Sequence, residues 1–336
     1  MRRRKKAIYI TSIVALVFVA AFIAHVVLKD KVDSNYIKEA DMERKIGEPQ
    51  NGPTEELNNA STNSQTKEPT QTPTQTPASI EPVKESLINS DGKTLEERIS
   101  TPEGYTRANA KNNSLTAFLR GYELKEDKAE VLLYDGSKKG NQNAHVAVFK
   151  LPIENRDLQQ CADSIMRVYA EYYWSQKEYD RIAFHFTNGF MANYKKWQNG
   201  YRIKINGNKV SWVKSASYDN SYETFQKYLK IVFCYAGTMS MDRETKPIKL
   251  EKLQVGDVFI RGGSPGHVVM VVDTCENPQG KKAFLLAQGY MPAQEFHVLK
   301  NENHEDDPWY YEEEVTYPFN TPEYTFEEGS LRRLDY

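Results

Sequence analysis

The sequence predicts an α+β domain, an antiparallel sheet with a helix packed on it from the N-terminal side. Three observations predict it. Helical periodicity is strongest over 155–174, short alternating apolar runs crowd the region after residue 255, and two of those runs bracket a reversing turn. The runs His267 to Asp273 and Lys282 to Tyr290 flank Asn277, Pro278 and Gly280, residues that favour a turn. A turn centred between Asn277 and Pro278 makes residues whose numbers sum to 555 face each other, so His267 faces Gln288. Opposed residues of an antiparallel pair share a face, about 5 Å apart at Cβ.

The chain divides by composition. Residues 1–6 carry five cations, Arg2 to Lys6, and are expected to be a cytoplasmic tail. Ala7 to Leu28 contains no Asp, Glu, Lys or Arg over 22 residues, long enough for one transmembrane helix. Its length and the absence of a clear small-residue cleavage site favour an uncleaved signal anchor. Residues 29–86 are polar, poor in aromatics and contain PTQTPTQTP, the composition of a disordered stalk. Residues 87–336 form the extracytoplasmic domain. The expected location is the cell membrane, single-pass, with the domain outside.

Within that domain, Thr94–Ile99 and Ser114–Leu119 read as short helices, and Glu130–Tyr134 and His145–Ile153 as strands. In NRDLQQCADSIMRVYAEYYW a stripe of Leu158, Cys161, Ile165, Val168 and Tyr172 recurs at helical spacing. Asn155 or Asp157 is the expected N-cap, which sets Cys161 in the first turn. Arg181–Phe186 reads as a strand, and Tyr201–Trp212 as a hairpin about Asn206-Gly207. Ser221–Tyr235 reads as a second amphipathic helix with Phe225, Leu229 and Val232 or Phe233 inward. Strands at Asp257–Ile260 and Glu295–Leu299 frame the His267 hairpin, and an acidic, aromatic tail follows Asn301.

Charge excludes one class of partner. The net charge is −2, and without the five N-terminal cations it is −7 (−2 − 5), which disfavours nucleic acid. Three cysteines, Cys161, Cys234 and Cys275, allow at most one internal disulfide and match no C-x-x-C metal or redox spacing. No metal or other cofactor is expected.

The chemistry-bearing constellation is a thiol, a base and an orienting group. A helix N-terminus lowers a thiol pKa, an imidazole can take its proton, and a third polar group can fix the imidazole. Cys161, His267 and Gln288 fill these roles. Gln160, Gln159 or a backbone N–H near Cys161 supplies an oxyanion donor, and Asp257, just before the His267 strand, is a further substrate-binding or orienting candidate.

Competing readings stand beside this one. Cys161 lies on an apolar stripe and free cysteine is commonly buried; Cys234 reads as core, and Cys275 as an exposed turn residue. His145 and His185 sit in strand patterns, His297 alternates with apolar neighbours, and His304 lies in an acidic loop. Asp257 or Asp273 could serve His267 or an acid–base role in glycan cleavage. Ser264 is an alternative nucleophile, and the aromatics near 172–174, 194–201 and 309–314 could line a groove for peptide or sugar.

DLQQCADSIMRVYAEYYW, IAFHFTNG, the YAGT of Tyr235–Thr238, GDVFIRGGSPGHVVMVVD and LLAQGYMPAQEFHVL together resemble a bacterial family of unknown function, number 4846, from about Tyr105 to Trp309. More remotely, the order Cys161, Gly256-Asp257, His267, Gln288 is similar to that of papain-like cell-wall peptidases of the NlpC type. CAD stands where those enzymes have aspartate-cysteine-serine, and more than a hundred residues separate Cys161 from His267. The resemblance implies a papain-like fold and amide hydrolysis on peptidoglycan. The expected function is therefore a membrane-anchored cysteine peptidase or amidase acting on cell-wall peptide. The alternative is a non-catalytic envelope module that binds wall polymer or a partner protein.

Overall fold

The structure is a computed structural model that describes residues 86–336. The basic tail, the expected anchor at 7–28 and the stalk up to residue 85 lie outside the described residues. Among the described residues no helix is long and apolar enough to cross a membrane.

The domain is α+β. Two short helices, α1 (Leu95–Arg98) and α2 (Leu115–Arg120), precede strand β1 (His145–Val148) and the long helix α3 (Cys161–Ser175). A small hairpin, β2 (Ala183–His185) and β3 (Met191–Asn193), leads into helix α4 (Tyr194–Gln198) and the hairpin β4 (Tyr201–Asn206) and β5 (Lys209–Lys214). Helices α5 (Tyr222–Tyr235) and α6 (Thr238–Arg243) follow, and the rest is mainly sheet. Its strands are β6 (Thr245–Pro247), β7 (Val258–Arg261), β8 (His267–Glu276), β9 (Lys282–Gln288), β10 (His297–Leu299), β11 (Tyr310–Tyr311), β12 (Phe319–Thr321), β13 (Tyr324–Phe326) and β14 (Leu331–Leu334).

The main sheet runs β1-β10-β9-β8-β7-β14-β6, with β11 added to β9, and every pairing is antiparallel. Alternation along β8 divides the core. Val268, Met270 and Val272 pack with α3 and α5 on one face. Val269 and Val271 pack with Phe259, Phe284, Phe319 and Phe326 on the other, under the β12–β13 hairpin. The sheet is thus covered on both sides, which explains the near-continuous apolar run HVVMVV.

Several expected elements are displaced. Helix α3 starts at Cys161 with Gln160 as its N-cap, not at Asn155 or Asp157. Asp157 instead accepts hydrogen bonds from the Ala293 N–H and the Gln160 amide, so it ties down the preceding loop. The start of α3 is fixed by Asp163, whose carboxylate accepts the Gln160 N–H at 3.1 Å. The buried face of α3 is wider than one stripe, because an ion cluster of Arg167, Glu154, Glu171 and Tyr222 fills its other side. Residues 130–134 make only isolated bridges, from Leu132 to Lys138 and from Leu133 to Gln294.

The hairpin turn is longer than expected and spans Asn277–Lys281, closed by the Asn277 N–H to the Lys281 carbonyl. Cys275 is therefore a strand residue opposite Ala283 and is buried, not an exposed turn residue. All three cysteines are buried, and none forms a disulfide. The aromatic groove is also corrected: Tyr173, Tyr194, Trp197, Trp309 and Tyr310 are core residues.

Candidate active site

The β8–β9 register differs from expectation in an instructive way. Ala287 faces Met270 and Leu286 faces Val271, pairs that sum to 557 rather than 555. A shift of two residues preserves which face each side chain occupies. His267 and Gln288 are thus diagonal neighbours on one face, and the His267 Nε2–H donates to Gln288 Oε1 at 2.7 Å. This bond leaves Nδ1 as the lone-pair nitrogen.

Cys161 opens α3, which packs on the Val268 face of the sheet, whereas His267 lies beside Tyr324 and Phe326 of the β12–β13 hairpin. Even-numbered residues near the start of β8 direct their main-chain groups toward β9, which ends at Gln288. In the gap beyond that end, the Cys161 sulfur lies near the main-chain N–H of Val268, the residue next to His267, and near those of Cys161 and Ala162 at the helix start. Close approach of α3 requires Gly289: a Cβ there would lie 2.2 Å from Ser164 Oγ and 3.2 Å from the Gln160 carbonyl oxygen. On the other side, Gly266 admits Thr238 Oγ1, which donates to the Gly263 carbonyl at 3.1 Å and steadies the loop before His267. The YAGT segment thus buttresses the loop that leads into His267.

Burial governs the electrostatics. Cys161 is 5% exposed and His267 2%. Desolvation pushes the thiol up to about 12, with Asp163 adding to the rise and the three main-chain N–H groups opposing it. Desolvation lowers His267 to about 4, against the Gln288 hydrogen bond. At neutral pH both members of the pair rest uncharged. Tyr290 and Tyr324 lie over the imidazole, with ring centroids 4.7 and 4.9 Å away.

The other candidates are placed elsewhere. Asp257 is buried and held by Arg333 through two hydrogen bonds of 2.7 and 2.8 Å, alongside Val271 rather than His267. Gln159 donates to the Pro152 carbonyl at 3.1 Å, and Gln160 to Asp157 at 3.0 Å. Asp273 is clamped by Arg107 and Arg120 farther along β8. Ser264 lies on the exposed turn before His267. Among the described residues, no group of three His, Cys, Asp or Glu side chains is arranged to hold a metal ion.

The family described as domain of unknown function (4846) matches residues 95–333. The chain belongs to this family. No curated protein and no solved structure matches the chain. The 4846 match spans every residue of the constellation.

Sequence reasoning missed part of the site. His297 pairs with Gln288 across β9 and β10, and its Nε2 lies 3.4 Å from Gln288 Nε2. Lys139 and Glu323 form an ion pair beside them, and Gln288 Nε2 donates to Glu323 Oε2 at 2.7 Å. His297 carried a weak signal, its alternation on the last predicted strand. Lys139 and Glu323 carried none, since each sits in a turn.

Proposed function

We propose that the domain is a papain-like cysteine hydrolase that cleaves peptide or amide bonds of cell-wall peptide. We further propose that it works outside the membrane, anchored through residues 7–28. The observation that carries the reading is the His267–Gln288 pair, a strand-start imidazole whose Nε2–H is held by a carboxamide at 2.7 Å, next to Val268, whose main chain the helix-start Cys161 thiol approaches. In this scheme His267 Nδ1 takes the Cys161 proton as the sulfur attacks the carbonyl carbon. Main-chain N–H groups at the start of α3 receive the oxyanion, in preference to Gln160, whose amide is bonded to Asp157. The imidazolium then returns its proton to the leaving amine, and water hydrolyses the thioester. Because Cys161 is nearly inaccessible, substrate access requires a local opening around the thiol.

The buried, neutral thiol also favours a second reading, an envelope module that binds wall polymer or a partner protein without chemistry. Digestion of purified peptidoglycan by the full chain, with Cys161→Ala and His267→Ala as controls, separates the two. The hydrolase reading expects release of peptide fragments that falls by roughly a thousandfold or more in either variant. Sedimentation with peptidoglycan that survives Cys161→Ala, without cleavage by the wild type, would leave the binding module.

A further inference from the structure

The base needs its proton on Nε2 and its lone pair on Nδ1, and the residues around Gln288 settle which tautomer His267 adopts. His297 Nδ1 lies 2.8 Å from the Glu295 carbonyl oxygen, which can only accept, so Nδ1 carries the hydrogen and Nε2 is an acceptor. A Glu323 carboxylate, also only an acceptor, lies 2.7 Å from the same end of the Gln288 amide. Two acceptors at one end require the NH2 group there. The carbonyl oxygen must then point at His267, and an oxygen at 2.7 Å demands a hydrogen on Nε2.

We infer that Glu323 is a positioning residue: through Gln288 it sets the tautomer of His267. Its own place is fixed from three sides. The Lys139 ammonium pairs with Oε2, the oxygen that Gln288 also uses. Tyr290 Oη donates to the Glu323 carbonyl at 3.3 Å. The tight turn between β12 and β13 carries Glu323 over the sheet, and Tyr324 and Phe326 of the same hairpin stack beside His267. The catalytic meaning of this relay rests on the hydrolase reading; the tautomer itself does not.

Removing the carboxylate leaves His297 Nε2 as the one acceptor holding the NH2 group, and Lys139 can satisfy that nitrogen itself. Lys139, with three hydrogens and no acceptor, also attracts the Gln288 carbonyl oxygen, so the flipped amide, with NH2 toward His267 and Nε2 as acceptor, gains population. Glu323→Met tests this with little loss of volume. Glu323→Gln, whose carbonyl can occupy the Oε2 position and accept from both partners, is the conservative control.

The measurement is a long-range proton–nitrogen correlation on the full chain with nitrogen-labelled histidine, assigned by His267→Asn. The expected result is an Nε2–H tautomer in the wild type and in Glu323→Gln. In Glu323→Met the ratio of Nδ1–H to Nε2–H should rise about tenfold, the ratio commanded by one net hydrogen bond. An Nδ1–H tautomer in the wild type, or an unchanged ratio in Glu323→Met, overturns the inference. The wild-type result decides even if Glu323→Met does not fold. A confirmed tautomer switch without any cleavage of wall peptide would mark failure of the hydrolase reading alone.

Discussion

Protonating His267 means placing a charge in a site with 2% exposure, and its pKa of about 4 records that penalty. The sign follows from linkage. The unfolded chain, with an ordinary histidine pKa near 6.5, binds the proton that the native site refuses between about pH 6.5 and 4. Stability is full above that window and falls as pH drops through it, by on the order of 3 kcal/mol from this residue. His297, lowered well below its usual value mainly by burial, acts in the same direction. Thermal unfolding at pH 7.5 and 4.5 should show a large loss in the wild type and a smaller one in His267→Asn. Equal losses would refute the assignment. Cys161, His267 and Gln288 were legible because each opens or closes a periodic run, whereas Glu323 and Lys139 acquire meaning only through contacts distant in sequence, Gln288–Glu323 across 35 residues and Lys139–Glu323 across 184. The thiol's environment was half legible: the helix-start N–H groups were expected, but the desolvation that outweighs them comes from packing that no local pattern encodes.

At the scale of elements, parity proved more robust than register. The Asn277–Lys281 turn and the bulge near Val272 both moved the predicted pairing, yet His267 and Gln288 stayed on one face because the net slip near the site was even. The turn chemistry was read correctly in kind and wrongly in length, since Asn277 Oδ1 also accepts the Lys281 N–H and draws more residues into the loop. Helix α3 and the end of β9 meet at Gly289, so Gly289→Ala should cost about 1–3 kcal/mol by overpacking against Ser164. Ser164→Ala should relieve part of that cost, since it removes the nearest atom but leaves the Cβ at 3.0 Å. Denaturant melts of the two single variants and the double variant check this; strict additivity would exclude the contact. At the far end of β8, Asp273 holds Arg107 at 2.6 Å and Arg120 at 2.7 Å. Asp273→Ala leaves two largely buried guanidinium groups without their carboxylate and should destabilise the domain by about 3–5 kcal/mol in the same melts.

For the whole molecule, α+β class and the late position of the sheet were legible from where each periodicity is concentrated, but the strand order was not. Nothing local to Leu331–Leu334 announces that β14 inserts between β7 and β6. The insertion makes β14 the keystone: β6 joins the sheet only through it, and β7 would otherwise be an open edge. A ribosome delivers α3 first and β14 last, with Cys161 preceding Leu331 by 170 residues (331 − 161). Such distant pairing slows folding and prolongs the life of partly assembled chains. Until that strand arrives, the three thiols, buried in the finished domain, are more open to solvent and to whatever oxidant it contains. Synthesis is thus the stage at which the thiols are chemically vulnerable, and arrival of the final strand ends it.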